Sequence, residues 1–312
     1  MYYFIVNTHA KTGNSIHTWD KIKTVLDKEG IPYQVYETLY AGYATEVVKE
    51  LTEHSVEHIN LIIVGGDGTI NEVVNGISDF SNISIGVIPA GTGNDFARNL
   101  GIKGSTEEVL NDILSRKEET RLDLTMLHWE SKKRSRVFAI SSGVGFDALV
   151  TKRNTASRIK PFCNKLGLGK LSYLIATVQS LFLMRTYAAD VTVEDKPVQS
   201  FNRVIFSSAM NLRAEGGGIA MAPRATATDG LISFCVAAEI PWYKLPFYLI
   251  LLVLAKHENL KCFHVYNCSK CHIRTNKPVT IHCDGEYLGE ASDLWYESLP
   301  QKLSILNTIT DK

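Results

Sequence analysis

The 312-residue sequence predicts two domains: an α/β domain built on a parallel sheet, then a β-rich, sandwich-like domain. Three observations predict this. Residues 1–122 alternate short apolar runs with helical patterns. Two glycine-rich stretches there each follow an apolar run and precede a helix. From residue 123 to 295, short strands separated by turns take over, which suits a sandwich or distorted barrel.

In the first domain, residues 3–7 read as a strand and 19–29 as a helix stopped by Gly30. A second strand spans 33–37 and a second helix 44–54. Residues 60–64 are almost entirely apolar, as a sheet covered on both faces requires. A helix over 70–75 ends at Gly76, a strand over 83–88 stops at Pro89, and 96–100 opens another helix. In the second domain, strands are expected over 137–142, 189–193, 203–209, 231–237, 271–275 and 279–283. Asn276-Lys277-Pro278 reads as the hairpin joining the last two, and helices interrupt the series around 171–183 and 242–257. A last strand near 303–306 lies in a segment, 296–312, that returns to the first domain.

Lys plus Arg and Asp plus Glu both number 33, so the net charge is zero. A broad cationic footprint for nucleic acid is therefore not expected, and no strongly basic membrane surface is indicated. The opening residues lack a basic region followed by an apolar core of signal-peptide length, which predicts a cytoplasmic protein. No apolar run reaches the roughly 20 residues that span a bilayer. The longest, 245–255, reads first as an ordinary core helix; an acyl-chain cleft or a membrane-interface segment is the alternative. Six cysteines include a CxxC at Cys268 and Cys271, but no second CxxC completes a zinc site. Cys271 and Cys283 fall in strand patterns, so the cysteines are expected to be reduced and metal-free.

The chemistry begins at Gly65-Gly66-Asp67-Gly68-Thr69, between an apolar strand and a helix. Glycines let the backbone approach an anion closely, and the helix N-terminus offers unpaired N–H groups. No Walker lysine is present, so this is not a P-loop. A tight turn capped by Asp67 is the simpler alternative. The logic repeats at Gly91-Thr92-Gly93-Asn94-Asp95, where Asp95 could serve only as an N-cap. Consecutive parallel strands would put Asp67 and Asp95 at one carboxyl edge, the place where open α/β sheets bind nucleotides. Two carboxylates beside two phosphate cradles suit a Mg²⁺-nucleotide. Glu286 follows an Asp284-Gly285 hairpin-turn signal.

GGDGTxNEVVNG at Gly65–Gly76 with PAGTGNDFAR at Pro89–Arg98 closely resembles the diacylglycerol kinase catalytic-domain family, and the bacterial lipid kinases above all. Sphingosine and ceramide kinases are more distant relatives, and NAD kinases share GGDGT alone. The resemblance runs through Arg121-Leu122-Asp123, Gly143–Ala148, Gly169–Tyr173, Gly216–Gly218, Ala222-Pro223, Asp229-Gly230 and Asp284-Gly285-Glu286. It implies an NAD kinase-like nucleotide domain, a β-rich second domain, and ATP and Mg²⁺ as cofactors. ATP contacts would come from Asn7, Lys11, Gly13, Thr45, Gly65, Gly66, Asp67, Gly68, Thr69, Ile70, Asn71, Gly91 and Thr92. Here Asn7-Thr8 and Lys11 stand where the family has Asn-Pro and a glycine. Glu286 would be the general base, working with Asp67 and Asp95. Asp229, with the carbonyls of Thr226 and Leu231, would hold a structural Mg²⁺.

The implied reaction phosphorylates a membrane lipid such as diacylglycerol, at a peripheral membrane contact, without nucleic acid; a homodimer is compatible with it. An NAD kinase and a non-catalytic, nucleotide-regulated lipid-binding protein are the competing readings. The GTGND loop argues against the first, and the joint presence of Asp67, Asp95 and Glu286 against the second.

Overall fold

The computed structural model describes residues 1–8, 14–116, 118–157, 169–194 and 196–310. Lys11, Gly13 and Cys163 lie outside the described residues. The chain divides into two compact units, Met1–Leu122 with Gln301–Lys312, and Asp123–Pro300.

The first unit is an α/β layer structure. Strands β1 (Tyr2–Val6), β2 (Tyr33–Glu37), β3 (Ile59–Gly65) and β4 (Ile83–Pro89) pair in parallel in the order β4-β3-β1-β2. Helices α1 (Asn14–Glu29), α2 (Tyr43–His54), α3 (Asp67–Gly76), α4 (Asp95–Asn99) and α5 (Thr106–Ser115) follow and cover them. Leu61, Ile62, Ile63 and Val64 are all fully buried, which explains a strand without polar alternation. Trp19 of α1 packs on Phe4 of β1 at 5.2 Å between ring centroids. The sequence pattern missed α5, whose start is a full capping box between Ser105 and Glu108. The returning segment pairs Ser304 and Ile305 with Ser84 and Ile85. Beyond it, the Asn307 amide accepts from Val87 N (2.7 Å) and donates to Val87 O (3.0 Å), so the edge of β4 is satisfied inside the core.

The second unit is antiparallel. It contains β5 (Thr120–Trp129), β6 (Arg134–Phe138), β7 (Ser141–Gly145), β8 (Tyr187–Val193), β9 (Gln199–Met210), β10 (Ile232–Ala238), β11 (Phe263–Cys268), β12 (Lys270–Cys283) and β13 (Glu286–Ile305). Along β10 the side chains alternate between two cores. Ile232, Phe234 and Val236 join one cluster with β8 and β12 residues, while Cys235 and Ala237 join the other. The second cluster is roofed by α6 (Phe146–Ala156), α7 (Gly169–Leu183) and α8 (Leu245–Val253). Both faces are therefore covered, as a sandwich-like layer requires. Cys235, Cys268, Cys271 and Cys283 are buried free thiols, and Cys262 is partly exposed.

Two expectations are corrected. Asn276-Lys277-Pro278 is not a hairpin: β12 runs unbroken through it, with a register shift against β13 between Arg274 and Val279. Proline cannot donate to a ladder, and here it sits in a bulge rather than a turn. Side chains hold the bulge, because Asn276 Oδ1 accepts from Ala188 N (3.0 Å) and Lys277 Nζ donates to Thr186 O (2.9 Å). The second correction concerns residues 245–255. Helix α8 buries Leu245 and Leu252 but leaves Phe247, Ile250 and Val253 more than half exposed, so it is a surface helix with two apolar faces.

Candidate active site

In the first unit, β3 and β4 end level with each other, Gly65 opposite Pro89, and each passes directly into a glycine loop. Ala90 N donates to Gly65 O (2.8 Å), stitching the loops together. They then touch backbone to backbone. A Cβ built on Gly91 would lie 2.5 Å from the Cα of Gly66, and one on Gly66 2.9 Å from the Cα of Gly91. Here glycine is required by close approach. Asn94, at φ 52°, braces the second loop: its Oδ1 accepts from Gly91 N (2.9 Å) and its Nδ2 donates to Gly91 O (3.0 Å).

Asp67 spans the two loops. Its Oδ2 accepts from Asp95 N (3.0 Å) and its Oδ1 from Phe96 N (2.9 Å). The carboxylate thus caps α4, the next helix, rather than its own; Gly66 stands at the N-cap of α3 without a side-chain bond. Nor does Asp95 serve as the N-cap, since Asn94 occupies that position. Asp95 instead forms an ion pair with Arg98, whose Nη2 donates to Gly93 O (2.6 Å). Both acids at this edge therefore hold the loops in shape.

The other proposed nucleotide residues divide by exposure. Gly68, in the first turn of α3, and Thr92, in the second loop, are exposed. Thr69, Ile70 and Asn71 are buried, and Thr69 Oγ1 accepts from Asn7 Nδ2 (2.9 Å), tying the end of β1 to α3. Thr45 Oγ1 donates to Glu72 O (2.9 Å), joining α2 to α3.

In the second unit, β12 and β13 meet at a two-residue turn in which Asp284 (φ 44°) and Gly285 (φ 78°) are both left-handed. That is the geometry an Asp-Gly turn favours. Asp284 is nearly buried, and its carboxylate accepts from Ala139 N (3.0 Å), Ile140 N (2.9 Å) and Ser141 N (3.0 Å). Its own N–H donates to Ser141 O (2.8 Å). The turn is thereby clamped, while Glu286, the next residue but one, is about half exposed and meets Arg136 Nη2 at 2.5 Å. Sequence reasoning missed Arg136 as the partner of Glu286 and Asp284 as the clamp of the turn. The Asp-Gly signal gave the turn, but nothing local pointed to segments some 145 residues away.

Asp229 lies exposed on the loop that also carries Thr226 and Leu231. Its Oδ1 accepts from Leu231 N (2.9 Å), and buried Asp123 accepts from Gly230 N (2.7 Å), anchoring the loop to β5. The proposed donors here are all oxygen, which suits a hard cation such as Mg²⁺.

Paired glycine loops at the carboxyl edge of a parallel sheet, with a β-rich second unit, define a kinase-type nucleotide fold. The diacylglycerol kinase catalytic domain model matches residues 1–127. The YegS C-terminal NAD kinase beta sandwich-like domain model matches residues 140–307. The chain belongs to the diacylglycerol kinase catalytic-domain family, in its bacterial lipid kinase branch. YtlR of Bacillus subtilis, provisionally named a lipid kinase, is 26% identical over 296 residues, covering 92% of this chain and 94% of that one. The Bacillus subtilis diacylglycerol kinase is 26% identical over 267 residues, covering 84% and 82%. Among solved structures, a Bacillus anthracis protein provisionally described as a diacylglycerol kinase superposes with a TM-score of 0.77 at 21% identity, over 98% and 96% of the chains. An Archaeoglobus fulgidus NAD kinase in complex with ATP superposes at 0.54 and 14% identity, over 99% and 94%.

Proposed function

We propose that this lipid kinase family member transfers the γ-phosphoryl group of Mg²⁺-ATP to the hydroxyl of a membrane lipid, diacylglycerol first among candidates. The observation that carries the reading is the crossing of the Gly66 and Gly91 loops under the Asp67 carboxylate. Backbone N–H groups at the start of α3, where Gly68 is exposed, and the exposed Thr92 in the second loop offer a cradle for phosphates. Bound Mg²⁺ supplies charge neutralisation on the phosphates. Both Asp67 oxygens accept N–H bonds, so Asp67 would contribute loop geometry and negative charge beside the ion. Asp229 and the Thr226 and Leu231 carbonyls are the proposed second, structural Mg²⁺ site.

Glu286 is the proposed base. A rigid turn below it and half exposure above suit a carboxylate that must meet an incoming hydroxyl. Arg136 holds the carboxylate in place through their ion pair. Under α8 the second unit has a small apolar hollow lined by Phe146, Ile205, Phe206, Leu249, Leu252 and Phe263, with room for no more than about one water, so an acyl chain would have to part these side chains. The exposed face of α8, with Trp242 and Tyr243 just before it and Lys244 and Lys256 flanking it, suits the membrane interface. No helix among the described residues is long and apolar enough to cross a bilayer. Vesicle co-sedimentation tests that face: Phe247→Ser with Trp242→Ser should lower binding to anionic vesicles several-fold, and unchanged binding would remove the assignment.

A further inference from the structure

A second cluster of ionisable groups lies in the interior of the Asp123–Pro300 unit, and the reaction proposed above does not use it. Asp147, in the first turn of α6, Glu215, in the loop after β9, and His282, on β12, are 5%, 7% and 1% exposed. His282 Nε2 lies 3.0 Å from Asp147 Oδ2 and 3.9 Å from Glu215 Oε2. One oxygen or nitrogen from each of the three falls within 4.8 Å of the others. Ser208 Oγ donates to Asp147 Oδ2 (3.2 Å), and Ser141 Oγ donates to Glu215 Oε2.

A further observation points to a ligand. Glu215 Oε1, on the carboxylate that faces His282, is buried without a hydrogen-bond partner. Such an oxygen is costly unless something else satisfies it. Gly143 lets the carboxylate and the imidazole pack directly on the backbone of β7, since a Cβ there would come within 1.8 Å of Asp147 Oδ2 and 2.4 Å of His282 Nε2.

Charge balance narrows the ligand. Among the described residues, the only ion pairs of Asp147 and Glu215 are with His282. Two buried carboxylates and a neutral imidazole carry two uncompensated negative charges, which a dry interior does not tolerate. Two protons can neutralise them, and so can one divalent cation. Without a cation, burial and then the Asp147 charge push Glu215 well above the carboxylate range. Burial alone would lower His282, but the Asp147 charge and hydrogen bond override it and hold the imidazole up at about 9. Ligands bound at about 2.0–2.2 Å around one ion stand roughly 3–3.6 Å apart, close to the separations seen here.

We propose that Asp147, Glu215 and His282 form a buried site for one divalent transition-metal ion of the zinc or manganese class. The imidazole selects against magnesium, so the site is separate from the ion that accompanies ATP. Its role is structural, tying α6, β12 and the Glu215 loop together beside the Asp284 turn.

The test uses the full chain, freed of metal by chelator dialysis and titrated with zinc chloride and then manganese chloride. Wild type should retain one equivalent through gel filtration. Its melting temperature should rise by roughly 5–10 °C at about 100-fold excess over the dissociation constant. Cobalt(II) in the same protein should give visible d–d bands without a thiolate charge-transfer band, and Asp229→Ala and Cys268→Ser should keep both. His282→Gln and Glu215→Gln should lose the equivalent and the thermal shift. If those variants do not fold, the cobalt spectrum of wild type decides. No retained equivalent, a thiolate band, or retention in folded His282→Gln would overturn the site and leave two protons as the neutralising ligands.

Discussion

The Gly66–Gly91 crossing in the first unit and the Asp284–Glu286 turn in the second both hang on one carboxylate that collects backbone N–H groups. They differ in where the chemistry sits. At the crossing, Asp67 is at once the brace and the proposed charge beside the phosphates, so structure and activity rest on the same side chain. At the turn they are separate, because Asp284 clamps the backbone and Glu286 stands clear of it. A substitution should therefore damage both properties at the crossing and only one at each residue of the turn.

The largest effect is expected at Glu286→Gln. This change keeps shape and hydrogen bonding but removes basicity, so kcat should fall by about 10² to 10⁴, or roughly 3–5 kcal/mol of barrier. Its exposed pairing with Arg136 is worth little, so the melting temperature should stay within about 2 °C. A kcat near wild type would make Glu286 a turn residue. Asp284→Ala should behave in the opposite way. It removes a charged acceptor from three N–H donors, and about 3 kcal/mol of stability should go with it, read as a fall in denaturation midpoint. If stability is kept and only activity falls, the proposed division of labour is wrong.

A smaller, mixed effect is expected for Asp67→Asn. The amide can still accept one N–H bond, so the loss should be about 1–2 kcal/mol, together with a raised requirement for Mg²⁺-ATP. Unchanged stability with altered kinetics would mean that the bonds to Asp95 and Phe96 are incidental. Least conspicuous should be the thiols. Burial pushes Cys235 up to about 12 and holds Cys271 and Cys283 well above the ordinary thiol range. In native protein at pH 8, peptide mapping should find these three unlabelled by iodoacetamide over minutes, and labelled within that time only after unfolding. Rapid native labelling of Cys283 would show that the β12 core opens.

Much of the first unit was legible because its signals are contiguous. Strand, glycine loop and helix follow one another within a dozen residues, and the apolar run 60–64 announces a sheet covered on both faces. What the sequence concealed was the cross-loop bond: capping rules look within one helix, whereas Asp67 caps a helix 28 residues on. In the second unit, Pro278 reads as punctuation in the sequence, but a bulge held by Asn276 and Lys277 lets β12 continue. Helix α6 escaped because its weak amphipathic pattern follows directly on the buried strand β7. The Asp284 clamp and the Asp147–Glu215–His282 cluster join residues more than 65 positions apart, and no local pattern encodes such meetings.

The central claim is phosphotransfer from ATP to a lipid. Purified full-length protein with Mg²⁺ and γ-labelled ATP should be offered detergent-dispersed diacylglycerol, monoacylglycerol, sphingosine, ceramide and polyprenol, with NAD in parallel. The account predicts label in at least one lipid, diacylglycerol first, and none in NAD. Label in NAD with every lipid blank would contradict it.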